Sequence, residues 1–250
     1  MGSTVCQAVL VSQDIELVAA IDPGGTGAVV GKVSISSSAQ ALVDAGADVA
    51  VDFTDATAAL ANLRFCAERG IHAVCGTTGL SGPEIDDLRR LFTPDGGVNC
   101  VWAPNFALGA VIMIHLAEIA ARHLDGVEVI ELHHDRKRDA PSGTALETAR
   151  RMTQARVAAG KGDWPADPTE QETVPGARGA SAEGTVRVHS VRLPGLVAHQ
   201  EVIFGAPGQS LSIRHDSYDR FSFMPGVLLA VREVANRPGL TIGLGQLLGL

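Results

Sequence analysis

In the first hundred residues, short apolar runs alternate with amphipathic ones, and this alternation most restricts the folds open to the chain. Residues 15–21 are strand-like and end at Asp22. Residues 47–53 form a second strand candidate, followed by Thr54 or Asp55, either suited to cap a helix. Residues 56–69 then carry Ala59, Leu60, Leu63 and Ala67 at helical spacing and stop at Gly70. A strand at 72–76, a helix at 83–92, a strand at 99–103 and a long helix from Phe106 complete the series. Strands linked through helices by short connections predict a parallel sheet covered on both faces.

The pattern changes beyond that point. Residues 127–133 read as a strand running into a charged segment with Pro and Gly, and residues 145–159 as a helix. Residues 160–184 are polar and rich in Gly and Pro, which predicts a long loop. Three strand-like runs follow, at 186–193, 197–204 and 210–215, with short links that favour antiparallel or mixed pairing. An apolar helix at 225–236 and a Gly/Leu-rich tail end the chain. The expected division is a dinucleotide-binding domain over 1–105, a substrate domain over 106–217, and a segment over 218–250 returning to the first domain.

Composition removes several classes of function. Lys and Arg total 20 against 28 Asp and Glu, a net charge of −8. Sequence-independent nucleic-acid binding needs a basic surface, so no nucleic-acid partner is expected. The most apolar stretch, residues 106–124, contains His115, Glu118, Arg122 and His123, which argues against a membrane span. No basic, apolar leader is legible after Met1. Cys6, Cys66, Cys75 and Cys100 form no C-x-x-C pair and sit in apolar surroundings, as buried thiols of a reducing compartment do. The expectation is a cytoplasmic protein with no metal site.

A dinucleotide-binding unit opens with a strand, a Gly-rich loop and a helix whose N-terminus faces the pyrophosphate. This sequence starts at Met1-Gly2-Ser-Thr, which reads as the last glycine of such a loop and the helix behind it, with the first strand and earlier glycines upstream of Met1. Asp22 lies about twenty residues further on, where a carboxylate meets the adenosine ribose. It also begins an Asp-Pro-Gly-Gly turn. Gly76-Thr77-Thr78-Gly79 and Ala103-Pro104-Asn105-Phe106 follow the third and fourth strands, at the carboxyl edge where open α/β sheets bind ligands. Each can equally be a plain turn, and Asn105 can equally cap the long helix.

The segment Glu131-Leu-His-His-Asp-Arg-Lys-Arg-Asp-Ala-Pro-Ser-Gly-Thr-Ala145 concentrates positive charge in an acidic chain. A charge run is usually a solvated face. This one follows an apolar strand, holds adjacent His133 and His134, and leads into Ser142-Gly143-Thr144 at a helix start, where backbone N–H groups and the dipole favour an anion. Thr144 and Glu147 have capping-box spacing. A small dianion could dock with one carboxylate on Ser142, Gly143 and Thr144 and another on His134 or Lys137.

That segment resembles the signature of the dihydrodipicolinate reductase (4-hydroxy-tetrahydrodipicolinate reductase) family, in its actinobacterial form. The likeness extends through Val51-Asp-Phe-Thr54, Gly76-Thr-Thr-Gly79, Ala103-Pro-Asn-Phe106, Pro175-Gly-Ala-Arg-Gly179, Gly195-Leu-Val-Ala-His-Gln-Glu201 and His215-Asp-Ser-Tyr-Asp-Arg220. It implies a Rossmann-like parallel-sheet domain and an α+β substrate and oligomerisation domain with a mixed sheet. It implies reduction of a cyclic dicarboxylate by NADH and/or NADPH, with loss of water, in lysine biosynthesis. By resemblance His133 and Lys137 are catalytic, the first protonating a ring carbon and the second assisting departure of the hydroxyl. His134, Ser142, Gly143 and Thr144 bind substrate. Gly2, Asp22, Phe53, Gly76, Thr77, Thr78, Ala103, Pro104, Asn105 and Phe106 bind the cofactor. Pro23 stands where a basic residue would favour a 2′-phosphate, which leans the choice to NADH. A homotetramer is the implied assembly. The truncated cofactor loop leaves as an alternative a catalytically impaired or non-catalytic relative, and a different Rossmann-type dehydrogenase acting on another amino-acid intermediate is a third reading.

Overall fold

Caps and glycines set the helix limits in the first part of the chain. The structure is a computed structural model describing residues 1–250. It begins with α1 (Gly2–Leu10), β1 (Ala20–Ile21), β2 (Val29–Val30), β3 (Val33–Ser36) and α2 (Gln40–Asp44), then β4 (Val49–Asp52) and α3 (Ala56–Arg69). Asp55, not Thr54, caps α3 by accepting from the N–H groups of Thr57 and Ala58, both at 3.0 Å. Gly70, at φ 74°, ends it in the left-handed conformation that a side chain would strain. β5 (His72–Cys75) leads to α4 (Gly82–Leu91), which starts with a Ser81/Glu84 capping box, and β6 (Cys100–Trp102) follows.

Next come α5 (Leu108–Ala121), β7 (Gly126–His133), α6 (Gly143–Ala158), β8 (Ala180–Ser181), β9 (Arg187–Arg192), β10 (Ala198–Ala206) and β11 (Gln209–Ser217). They form one sheet in the order β11-β10-β7-β9-β8, in which only β7 and β9 are parallel. Strand alternation puts Val129, Val188, Val202 and Phe204 on one face, packed with Met113, Ile114 and Ala117 of α5 and Ala145, Ala149 and Met152 of α6. Gly109 admits the His215 ring: a Cβ there would lie 2.4 Å from it. The long loop is tied down by Trp164, whose ring is buried under the Arg156 guanidinium and whose indole N–H donates to Thr153.

The chain closes with α7 (Met224–Glu233) and β12 (Leu240–Ile242). β12 joins a four-stranded parallel sheet in the order β12-β6-β5-β4. Asn99 fastens this return by donating to Val234 and Ala235 carbonyls and accepting from the Gly239 N–H. Cα-contact clustering gives two units, residues 1–108 with 220–250, and residues 109–219.

Three features of the first unit differ from expectation. Only Ala20 and Ile21 of the anticipated 15–21 strand are paired, because the neighbouring β3 meets it over just two residues. β1, β3 and β2 form a separate three-stranded sheet, so the unit holds two sheets rather than one. The tail contributes β12, a three-residue strand between Gly239 and Gly243 too short to show a period.

Candidate functional site

The second unit presents the cationic segment at the carboxyl end of β7. Glu131 and His133, two residues apart on the strand, share the face that packs on the helices. In the parallel register Glu131 stands opposite Ser190 and His133 opposite Arg192. The Glu131 side chain has no exposed surface. Its carboxylate meets His133 Nδ1 at 2.5 Å and accepts from both terminal nitrogens of Arg192 at 2.8 and 2.7 Å and from the Ser142 N–H at 3.2 Å. Burial alone would raise the Glu131 pKa, but the hydrogen bonds from Arg192, Ser190 and His133 hold it below the usual carboxylate range. Burial pushes His133 below the ordinary imidazole value, and Glu131 pulls it back upward only in part.

β7 ends at His133, so His134 leaves the strand and can share a region with its neighbour. His134 Nδ1 is buried without a hydrogen-bond partner. Lys137 Nζ pairs with both Asp139 carboxylate oxygens at 2.8 Å, and this pairing is the main reason the Asp139 pKa is lowered. Arg192 also donates to the Asp139 carbonyl at 2.8 Å, fastening the loop to β9. The helix starts earlier than the capping-box spacing indicated. Ser142 is the N-cap, accepting from the Ala145 N–H at 3.2 Å, and Glu147 pairs with Arg150 instead of reaching back. Gly143 and Thr144 therefore occupy the first turn of α6, where N–H groups lack intrahelical acceptors.

In the first unit the parallel register aligns Asp52 with Cys75 and Cys75 with Trp102. The turns beginning at Phe53, Gly76 and Ala103 consequently lie side by side at the carboxyl edge. The Phe53 ring lies against Gly76, where a Cβ would come within 2.0 Å of it, and meets the Phe106 ring at a centroid distance of 5.7 Å. Thr77 is turned inward. It is 4% exposed, its hydroxyl donates to Asp52 at 2.9 Å, and its carbonyl accepts from the Trp102 indole at 3.0 Å. Thr78 and Gly79 are exposed at the tip of the turn. Asn105 accepts from the Ala107 N–H, so its side-chain oxygen serves the entry to α5. Ala103 is buried and Pro104 exposed. Asp22 accepts from the Gly24 N–H within its own turn. Gly2 opens α1, which has no side-chain cap.

The sequence pattern described as dihydrodipicolinate reductase, N-terminus, matches residues 1–106, and the C-terminus pattern matches residues 109–248. This chain belongs to the dihydrodipicolinate reductase family. A 4-hydroxy-tetrahydrodipicolinate reductase of Nocardia farcinica is 50% identical over 250 residues, 100% of this chain and 95% of the relative. One from Cutibacterium acnes is 51% identical over the same shares. The solved structure of dipicolinate-bound dihydrodipicolinate reductase from Paenisporosarcina sp. TG-14 superposes with a TM-score of 0.86 at 36% identity, covering 98% of this chain and 94% of that one. The N-terminal match begins at residue 1, so these likenesses do not show the truncation expected above.

Three residues of the candidate site are not legible from the sequence as individual actors. Glu131 was visible as a charge two positions before His133 in an apolar strand. Asp52 carried a similar signal, a carboxylate closing the run Val49–Asp52. Arg192 had none, because nothing local indicates that β9 pairs with β7.

Proposed function

We propose that this chain reduces 4-hydroxy-tetrahydrodipicolinate to tetrahydrodipicolinate, with loss of water, in the diaminopimelate route to lysine. The observation that carries the reading is the Glu131–Ala145 signature, folded as a strand end, a cationic loop and a first helical turn capped by Ser142, in a chain matched along its whole length to reductases of that name. His134 and the N–H groups of Gly143 and Thr144 receive the substrate carboxylates, and Lys137 exchanges Asp139 for the dianion. The Lys137 ammonium gives a proton to the C4 hydroxyl as its C–O bond breaks, the adjoining ring carbon loses a proton, and water leaves behind a C4 double bond to that carbon. A nicotinamide nucleotide, when bound, would supply the hydride for C4. His133 gives a proton from Nε2 to the adjoining ring carbon, which completes the addition of hydrogen.

The cofactor residues fit a nicotinamide nucleotide. Gly76 keeps the backbone low beneath Phe53, and Thr78 and Gly79 leave the turn open. Thr77 supports the turn from below. Pro23 after Asp22 favours NADH over NADPH. We assign the tetramer contact to the sheet face away from α6, which carries Ile130, Leu132 and Ile203 among ion pairs such as Arg178–Glu128 and Arg214–Glu201. Four free cysteines suit the cytoplasm, and no helix is long and apolar enough to cross a membrane.

A coupled assay tests the reading. Aspartate semialdehyde, pyruvate and an active synthase are supplied, and NADH absorbance is followed. NADH loss that depends on both the synthase and this chain is expected. No loss while the synthase turns over would overturn the proposal.

A further inference from the structure

Glu131 is a fully buried carboxylate at the head of the cationic segment, and no role in the reaction has yet been given to it. A buried carboxylate is costly unless it is paired and hydrogen-bonded. This one gathers donors from three parts of the second unit: Arg192 on β9, the Ser142 N–H at the start of α6, and His133 on its own strand. The bidentate Arg192 contact fixes the plane of the carboxylate, since a guanidinium fork matches both oxygens at once. With that plane fixed, one oxygen is aimed at His133 Nδ1.

An ionised carboxylate can only accept. The hydrogen at this contact must therefore belong to Nδ1, and in the neutral ring Nε2 is left with its lone pair. When the ring becomes an imidazolium, the transferable proton is the one on Nε2, while the Nδ1 proton stays with Glu131. The partner of one ring nitrogen thereby determines what the other can do.

We infer that Glu131, held by Arg192, is a positioning residue that fixes the tautomer and ring orientation of His133 so that Nε2 alone delivers the proton to substrate. The inference rests on the acid/base role proposed for His133. The other charged groups acting on the ring are Lys137 and Arg192, both of which disfavour its protonation, so Glu131 is the group that favours the imidazolium.

The test begins with the unaltered protein. Histidine is labelled with nitrogen-15, and the His133 resonances, among those of eight histidines, are identified by their loss in His133→Asn. Long-range proton–nitrogen correlation of the neutral ring is expected to show Nδ1 protonated and Nε2 bare. The opposite tautomer, or a rapid mixture, would overturn the inference without any use of activity. Glu131→Gln supplies the second arm, because an amide can donate or accept and no longer dictates the tautomer. Its kcat is expected to fall roughly 10- to 100-fold. Its alkaline limb of kcat/KM should move to lower pH, because the group that favours the imidazolium has been removed. Unchanged kcat and unchanged tautomer in a folded Glu131→Gln protein would also overturn it. Near-normal turnover by His133→Asn is a different result: it removes the role of His133 itself, whereas an inactive His133→Asn beside a normal Glu131→Gln removes only the positioning.

Discussion

Each unit keeps a carboxylate at the carboxyl end of a strand, and the two are held differently. Asp52, 8% exposed, accepts from the Thr54 N–H, the hydroxyls of Thr54 and Thr77, and the Asn62 amide, and no cation is among these partners. Glu131 is braced by one guanidinium and by the imidazole proposed to act on substrate. Neutral donors suit a turn that must keep its shape beneath the proposed cofactor site. A charged brace suits a group whose partner changes protonation during turnover, because it can offset the new charge on the ring. The first arrangement spreads its support over several replaceable bonds. The second places its charge compensation on one guanidinium, with the Ser142 N–H, Ser190 and His133 adding hydrogen bonds.

The largest effect should come from removing the proposed proton donor. Lys137→Ala is expected to lower kcat by about 10²- to 10⁴-fold, the usual contribution of general acid–base chemistry. Folding should hardly change, since the ion-pair partner that the Lys137 ammonium loses is the exposed Asp139 carboxylate. Steady-state kinetics beside a thermal melt would check both halves. Kinetics near the unaltered rate would refute the role.

Arg192→Ala should test the concentrated brace. It leaves the Glu131 charge buried without its cation, and breaking such a pair costs about 3–5 kcal/mol. Denaturant unfolding should show the loss as a lower midpoint. A midpoint within error of the original would mean that His133 and Ser142 suffice to hold Glu131, and that the contrast between the two carboxylates is false.

The sequence was most legible where local chemistry decides the outcome. α3 runs between an Asp cap and a Gly stop, both readable from residue types, and α4 carries its capping box in Ser81 and Glu84. The cationic segment was found because its charge is improbable in this chain. What stayed hidden depends on pairing between distant residues. Arg192 reaches Glu131 only because β9 lies parallel to β7 across 61 positions of sequence. Thr77 and Thr78 look equivalent in Gly76-Thr-Thr-Gly79, yet strand alternation and the Asp52 acceptor turn the first inward and leave the second exposed. Thr144 with Glu147 misled because their spacing imitates a cap that Ser142 supplies from two residues earlier.

In the first unit, Gly76→Ala should act through shape instead of charge. The new Cβ would meet the Phe53 ring at 2.0 Å, so the ring or the turn must move. Overpacking of this kind costs about 1–3 kcal/mol. Because Phe53 and the turn form the proposed cofactor face, the KM for NADH should rise more than the KM for the dicarboxylate. Equal changes in both would remove Gly76 and Phe53 from cofactor binding.

Thr77→Val should have the smallest effect, and it bears most directly on how Asp52 is held. Valine matches threonine in shape but removes the hydroxyl that donates to Asp52. Three other donor contacts remain on that carboxylate, and Trp102 still binds the Thr77 carbonyl through the backbone. The loss should therefore be about 1 kcal/mol, the ordinary net value of one hydrogen bond. Denaturant unfolding of Thr77→Val and Arg192→Ala side by side gives the decisive ratio. If Thr77→Val costs as much as Arg192→Ala, the Asp52 network is as brittle as the ionic brace, and spreading support over neutral donors confers no tolerance.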